Sequence, residues 1–562
     1  MNYYYTKYLK YKNKYIELKK QRGGGNNYSW FIIDTSITPQ TIQEQDMVVE
    51  QGLEAQYNNG SAEQIIFDEI TYFLKSDGNY INSDNTKLLR REQKITITDP
   101  NEQLLFNMLK DYIEDKQIVL RVAGGWVRDK ILGKENDDID FTVANIEGMG
   151  MSGKVFSDAL CEHINGLGDS WKCKDNTLVS DKAANLETAT LLITVPTVPT
   201  DPTAPTKTFE FELDFVGFRS EVYKEDSRNP VVSPGTILQD TERRDFTINA
   251  LYYNIHTGKI EDHIGGVRDI HRRIIRTPID TTKSFTDDPL RILRALRFSA
   301  RFKFALDEDI KTAMRNKDVQ EKFKIISGGR IGQEILGFFK EGSNPILAFR
   351  EIYECDLWNI IFGGDGNWGE SAISLMSMLD ETHQTKKELM LVVLTQYFFN
   401  LDPQKLTELQ EFMTRLNIPR ELSKQITEIH KCTYAISEKM KQKADMTQWK
   451  LSDFALIIRT YHANFDDAIT FGRVLEPALF DNIDNYIKKN KLKEVYATPK
   501  FDSKNFANDF RVSGKQIKIL VDLLYEWQFD NSKAVYEEVL QQKDIIVQQV
   551  NILSQKLVKE EK

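Results

Sequence analysis

The chain has 562 residues, 41% hydrophobic and 28% charged, long enough for more than one domain with its own core. No apolar run reaches the roughly 20 residues that cross a bilayer, so the pattern excludes a helical membrane protein and predicts no membrane partner. A net charge of −10 excludes an overall basic polyanion binder, and any contact with nucleic acid must come from a local basic surface.

Four cysteines, Cys161, Cys173, Cys355 and Cys432, lie scattered with no Cys-x-x-Cys pair. This argues against a thiolate zinc site and for a reducing compartment, hence the cytoplasm. Residues 1–25 read as a helical leader rich in Tyr and Lys that ends in three glycines. The leader has no apolar segment, so it is not a secretory signal, and its single Arg speaks against a transit peptide. Residues 26–95 form a polar extension, with one helix expected over 62–75. Asp99 then caps a helix from Pro100 to about Asp115, with proline at the first helical position. It leads into a strand, Ile118–Val122.

The segment RVAGGWVRDKILGKENDDIDFTV, Arg121 to Val143, reads as strand, glycine turn, helix, loop, strand. Asp138 and Asp140 flank one apolar residue, so both point to the same face of a strand, about 7 Å apart at the backbone. Paired carboxylates can hold hard divalent ions such as Mg²⁺. Gly124 and Gly125 let a phosphate approach the backbone, and Arg128 lies just beyond. Taken singly, the glycines read as a turn and the acids as a solvated strand end. Together they suggest a site for a nucleoside triphosphate and its metals.

A helix (Gly153–Asn165), a strand (Thr188–Val195), a Thr/Pro loop near 194–208 and a second strand (Phe209–Phe218) follow. In FEFELDFVGF, alternation sends Phe209, Phe211, Leu213 and Phe215 to the core and Glu210, Glu212 and Asp214 to the other face. One of these three acids would join Asp138 and Asp140 if the two strands were neighbours. DTERRDFTINAL, Asp240 to Leu251, then places Asp245 and Asn249 one turn apart, after two arginines whose forks suit phosphate and ribose oxygens. Strands at Tyr252–Asn254 and Ile260–Gly266 come next. In TDDPLRILRALRF, Thr286 to Phe298, Pro289 makes Asp288 the expected N-cap of a helix. Arg291, Arg294 and Arg297 follow at intervals of three, a row that drifts by about 60° per step. From Asn344 onward the pattern is helical, ending in an amphipathic helix, Glu537–Lys562.

The order GG-x-V-R-D, D-x-D, RRD and the arginine-bearing helix resembles the class II nucleotidyltransferases: CCA-adding tRNA nucleotidyltransferases and bacterial-type poly(A) polymerases. The segments Asn185–Thr190, Thr286–Phe298 and Trp527 resemble the eukaryotic CCA-adding type. The first 25 residues resemble the leader of many giant-DNA-virus proteins, which would add the virion to the cytoplasm as a location. The resemblance implies an α/β nucleotidyltransferase head with a mixed sheet (96–275), then an all-α neck (276–343) and an all-α body and tail (344–562) that bind tRNA. Asp138, Asp140 and Asp214 would be the catalytic acids, with Mg²⁺ on Asp138 and Asp140. Gly124, Gly125 and Arg128 would hold the triphosphate and Arg244 the sugar-phosphate. Asp245 would read the ribose hydroxyl or orient Arg244. Asp288 and Arg291 would select the base, with Arg294 and Arg297 around it. The family usually has Glu before Asp288, where this chain has Asp287. The implied reaction is addition of CCA to tRNA from CTP and ATP without a nucleic-acid template. A poly(A) polymerase, an enzyme adding only CC or only A, and an inactive RNA-binding protein remain alternatives.

Overall fold

The computed structural model describes residues 94–562 except 169, 178–187, 197–207, 225–226, 365–366, 444–445, 491–505, 532–535 and 561–562, together with five strands between 28 and 93. The leader, most of the Thr/Pro loop and residues 185–187 lie outside the described residues. The chain divides into two compact units, Met1–Phe323 and Lys324–Lys562.

In the first unit, β1 (Tyr28–Asp34), β2 (Gln64–Phe67), β3 (Ile70–Leu74), β4 (Tyr80–Asn82) and β5 (Lys87–Gln93) form an antiparallel sheet in the order β1-β5-β4-β3-β2. The helix expected over 62–75 is therefore a hairpin of β2 and β3. Ile65, Ile66, Phe67, Ile70, Thr71, Tyr72 and Phe73 are β-branched or aromatic, residues that fit a pleated surface better than a helix.

The head starts as the caps predict. Asp99 Oδ1 accepts the Glu102 N–H at 2.8 Å and Pro100 opens α1 (Pro100–Ile113). Then come β6 (Ile118–Ala123), α2 (Gly125–Ile131), β7 (Ile139–Asn145), α3 (Gly153–Asn165), β8 (Lys172–Asp175), β9 (Ala189–Pro196) and β10 (Thr208–Gly217). A hairpin of β11 (Arg219–Lys224) and β12 (Ser227–Pro234) leads to α4 (Ile237–Glu242), β13 (Leu251–Asn254) and β14 (Lys259–Asp262). Seven of these strands make one mixed sheet, β14-β13-β6-β7-β10-β9-β8. Only the β7–β10 pair at its centre is parallel. Phe141 stacks on Phe215 with ring centroids 5.1 Å apart, and Phe156 of α3 closes on Phe215 at 5.4 Å. Phe211, Leu213 and Phe215 are buried as alternation requires, but Phe209 is 43% exposed, near the start of β10 where that core ends. After the sheet, α5 (Gly266–Arg272), α6 (Thr281–Asp287), α7 (Arg291–Phe302), α8 (Glu308–Arg315) and α9 (Lys317–Phe323) complete the unit.

Cys161 and Cys173 form a disulfide, with Cα atoms 5.2 Å apart. This corrects the reading of four scattered, unpaired cysteines and removes the argument for a reducing compartment that rested on it. α3 turns back onto the edge strand β8, so positions 12 apart meet. Cys355 and Cys432 are free and buried.

The second unit is helical in its described residues, from Gly328–Leu336 to Lys543–Glu560. Phe465–Leu475 and Pro477–Lys489 are among these helices, and the expected tail helix is interrupted between Gln541 and Lys543. No helix among the described residues is long and apolar enough to cross a membrane.

His430 is fully buried in this unit, between the rings of Phe399 (4.8 Å) and Phe471 (5.2 Å). Its Nε2 lies 2.9 Å from Thr395 Oγ1, which already donates to the Leu391 carbonyl. Nδ1 has no hydrogen-bond partner. Burial therefore disfavours the imidazolium and pushes the pKa down from 6.5 to about 3. The unfolded chain takes up a proton below pH 6.5 that the folded chain refuses. Stability then falls as pH falls between those values, by up to about 1.4 kcal/mol per pH unit. His430→Phe should flatten that part of the slope in urea unfolding of the intact protein. Equal slopes for parent and variant between pH 6 and 4.5 would contradict the assignment.

Candidate active site

The acids come from the centre of the sheet. Asp138 immediately precedes β7 and Asp140 lies within it. Ile139 and Phe141 are buried on the opposite face, while both acids are open to solvent. β10 runs parallel to β7 in a register that sets Asp214 beside Asp140. On the far side of β10, Thr190 of β9 faces Asp214; on the other side of β7, Ala123 faces Asp140. The row Thr190–Asp214–Asp140–Ala123 thus crosses four strands. Surrounding protein and the like charges of Asp138 and Asp214 push the Asp140 carboxyl up to about 6, against the pull of Arg244. Crowded anions of this kind suit a hard divalent cation, which takes oxygen ligands. Among the described residues no three His, Cys, Asp or Glu side chains converge on one point, so the pair Asp138 and Asp140 is what the strand offers such an ion.

The glycine turn stands beside this row. Gly124 has φ +70°, a conformation that costs side-chain-bearing residues dearly. A Cβ there would also come within 3.0 Å of Arg244 NH1. Gly125 has more room, its nearest neighbours being 3.6 Å or more from a Cβ. Arg128 is buried, unlike the open phosphate ligand expected. Its Nε donates to Asp129 Oδ1 at 2.8 Å, its NH1 donates to Asn249 Oδ1, and its guanidinium lies 4.7 Å from the Phe302 ring centre.

DTERRDFTINAL is not one helix: α4 ends at Glu242 and a single 3-10 turn covers Thr247–Asn249. Arg244 turns back one helical turn to the fully buried Asp240, with NH2 2.9 Å from Oδ2. The Tyr252 hydroxyl donates to the same oxygen at 2.6 Å, and Arg244 NH1 donates to the Asn249 carbonyl at 3.2 Å. Asp245 instead accepts from Asn249 Nδ2 (2.9 Å) and from Arg294 Nε and NH2 (2.9 and 2.6 Å). Burial drives the Asp245 carboxyl up, but the charges of Arg294 and Arg291 and the hydrogen bonds from Asn249 and Arg294 together outweigh it and hold the pKa below the ordinary value. Asp240, rather than Asp245, therefore holds Arg244: Asp240 lies in α4 and Arg244 just past its end, one turn on, while Asp245 is taken by Arg294 and Asn249.

Asp288 joins two helices. It ends α6, and its Oδ1 accepts the Leu290 N–H at 3.2 Å, while α7 starts two residues later than its proline suggests, with Leu290 at the N-cap. Arg291 is buried; NH1 donates to Ser284 Oγ at 2.7 Å and NH2 to the Arg243 carbonyl. Arg294 and Arg297 flank the Phe298 ring at 5.6 and 5.0 Å. Asn249 thus ties Arg128, Arg244 and Asp245 together, and Asp245 carries the network on to Arg294 of α7. Asp240 and Tyr252 escaped the sequence reading as site residues. The i, i+4 spacing of Asp240 and Arg244 was the available signal.

Residues 120–276 match the family described as "Poly A polymerase head domain". Over 286 residues the chain is 36% identical to tRNA nucleotidyltransferase cca2 of Schizosaccharomyces pombe, covering 48% of this chain and 54% of that one. It is 36% identical over 294 residues to the mitochondrial CCA tRNA nucleotidyltransferase of Saccharomyces cerevisiae, 50% of each. The chain spans about half the length of the curated relatives it matches. Its fold is that of the Thermotoga maritima CCA-adding enzyme solved with tRNA, with TM-score 0.55 and 22% identity over 79% of this chain and 95% of that one.

Proposed function

We propose that this chain, whose residues 120–276 match the poly(A) polymerase head domain, belongs to the tRNA nucleotidyltransferase and poly(A) polymerase family and adds the 3′-terminal CCA to tRNA from CTP and ATP without a nucleic-acid template. The observation that carries the reading is the continuous network of Arg244, Asn249, Asp245 and Arg294. It ties the surroundings of the acid row to the base-selecting helix, so one incoming nucleotide can meet both.

Asp138 and Asp140 would hold Mg²⁺, with Asp214 as the third catalytic acid beside them. When bound, the ions would supply Lewis-acid activation of the RNA 3′-hydroxyl and neutralise charge on the departing pyrophosphate. Gly124 and Gly125 open the backbone to the triphosphate. Arg244, one side of which faces the glycine turn, balances phosphate charge. Arg128 acts from behind, through Asn249, by keeping that turn in place. Asp288 and Arg291 select the base. A carboxylate accepts from the exocyclic amine of C or A, and a guanidinium donates to the adjacent ring acceptor. U and G invert that pattern and would leave buried groups unpaired.

The test is a tRNA ending at its discriminator base, offered CTP and ATP with Mg²⁺. A product longer by CCA is the expected result. A ladder of adenylates would replace this reading with poly(A) tailing, a product ending at CC or at A with partial addition, and no product with an RNA-binding role.

A further inference from the structure

We propose that Thr190 is a positioning residue for the acid row: its hydroxyl takes one oxygen of Asp214 and so sets how that carboxylate stands beside Asp140. The inference rests on the reading of Asp138, Asp140 and Asp214 as the catalytic acids. Thr190 Oγ1 donates to Asp214 Oδ1 at 2.5 Å, across the β9–β10 register that pairs the two residues. Hydrogen bonds to an ionised carboxylate are short and about twice as strong as neutral ones. The opposite neighbour of Asp214 in the row is Asp140, whose like charge favours rotation of an untethered carboxylate away from it. Thr190 stands on the far side of Asp214 and takes the oxygen turned that way, so the carboxylate is held in one orientation instead of turning freely.

Thr190 is itself fixed from the sheet edge. Its N–H donates to Thr177 Oγ1 at 3.0 Å, and its carbonyl accepts the Asn176 N–H at 2.8 Å. The Thr177 N–H donates to Asp175 Oδ1 at 2.8 Å, and Asp175 Oδ2 pairs with Lys154 of α3 at 3.0 Å. β-Branching adds its own restriction on the Thr190 side chain. The end of β8 thus holds Thr190, and Thr190 holds the third acid. Its hydroxyl points at the carboxylate, so it acts through Asp214 and has no role of its own in the chemistry.

The experiment compares Thr190→Val, Thr190→Ser and Asp214→Ala in the full chain. Mn²⁺ binding is read by electron paramagnetic resonance without RNA or nucleotide, alongside the Mg²⁺ midpoint for incorporation and the KM for ATP. Asp214 stands beside the pair read as holding the metal, Asp138 and Asp140, and losing a residue that orients such an outer partner costs about 10- to 100-fold in metal affinity or activity. Thr190→Val should therefore weaken Mn²⁺ binding and raise the Mg²⁺ midpoint by about tenfold, with little change in KM for ATP. Thr190→Ser keeps the hydroxyl and should recover most of the affinity. Parental Mn²⁺ affinity in Thr190→Val, with affinity lost in Asp214→Ala, would overturn the role of Thr190 and leave the acid reading standing. Parental affinity and incorporation in Asp214→Ala would overturn both. Should Thr190→Val fail to fold, Thr190→Ala carries the same comparison, since it removes the hydroxyl without adding a methyl.

Discussion

Asp140→Ala should lower nucleotide incorporation by about a thousandfold or more, in a protein that melts no earlier than the parent. A carboxylate that holds a catalytic metal underlies several kcal/mol of transition-state charge stabilisation, and about 4 kcal/mol is a thousandfold in rate. Stability should move the other way. Asp140 is open to solvent, and its carboxyl is pushed up to about 6 by its surroundings and by the charges of Asp138 and Asp214. Deleting it relieves that repulsion and leaves no buried group unpaired. Loss of activity with equal or greater stability marks a residue kept for chemistry at some cost to the fold. Single-turnover incorporation and a thermal melt of the same preparation give both readouts. Near-parental incorporation would remove the metal site from β7. A variant that merely unfolds would make Asp140 a structural residue.

The acids were legible because two-residue periodicity is a strong local signal. Asp138 and Asp140 flank Ile139, whose burial fixes which face they take. The place of Asp214 could be narrowed to one of three carboxylates on one face of β10, but its alignment with Asp140 is a property of a parallel pairing between strands far apart in sequence. The cap at Asp99 was local and stands as read. The cap at Asp288 was read from the same rule and shifted, since Asp288 also ends α6 and so cannot open α7 in the ordinary way. Pro289 therefore sits in the bend between two helices, not in the first turn of the second. The 62–75 segment went astray because its apolar residues fit helical spacing in number. Their β-branched and aromatic character was the better guide, and neighbouring strands decided it.

Charged side chains were the least legible. Arg128, Arg291 and Arg244 all look like ligands for phosphate or base when read as motif letters. The structure gives each of them protein partners: Asp129 and Asn249 for Arg128, Ser284 and the Arg243 carbonyl for Arg291, Asp240 and the Asn249 carbonyl for Arg244. A buried guanidinium must have its donors satisfied, so these arginines form a frame as well as a binding surface. The same holds for Cys161 and Cys173, whose meeting depends on how α3 returns to β8 and leaves no trace in their spacing.

Asp240→Ala should cost about 3–5 kcal/mol of stability, the usual result of removing one partner from a buried charge cluster. Asp240 is fully buried and accepts from both adjacent arginines and from a phenol. Its Oδ1 receives Arg243 Nε at 2.9 Å, and its Oδ2 receives Arg244 NH2 at 2.9 Å and the Tyr252 hydroxyl at 2.6 Å. Burial pushes the carboxyl upward, but the charges of Arg244 and Arg243 and the Tyr252 hydrogen bond outweigh it and hold the pKa well below the carboxylate range. The sign of the pH dependence follows. A depressed carboxylate stabilises the fold fully above its unfolded pKa of about 4, and that stabilisation is lost as pH falls from there through the much lower folded value. Asp240→Ala should therefore be destabilised most at neutral pH, and its gap to the parent should begin to narrow below about pH 4, by at most about 1.4 kcal/mol per pH unit. Incorporation should fall with it, since Arg244 stands within contact of the Gly124 turn and would lose its anchor. Urea unfolding at pH 7 and pH 3.5 measures the effect, and adding Arg243→Ala to Asp240→Ala measures the coupling between the two charges. A loss below about 1 kcal/mol at pH 7 would mean that Arg243 and Arg244 find other partners, and that Asp240 is a bystander to the frame around the site.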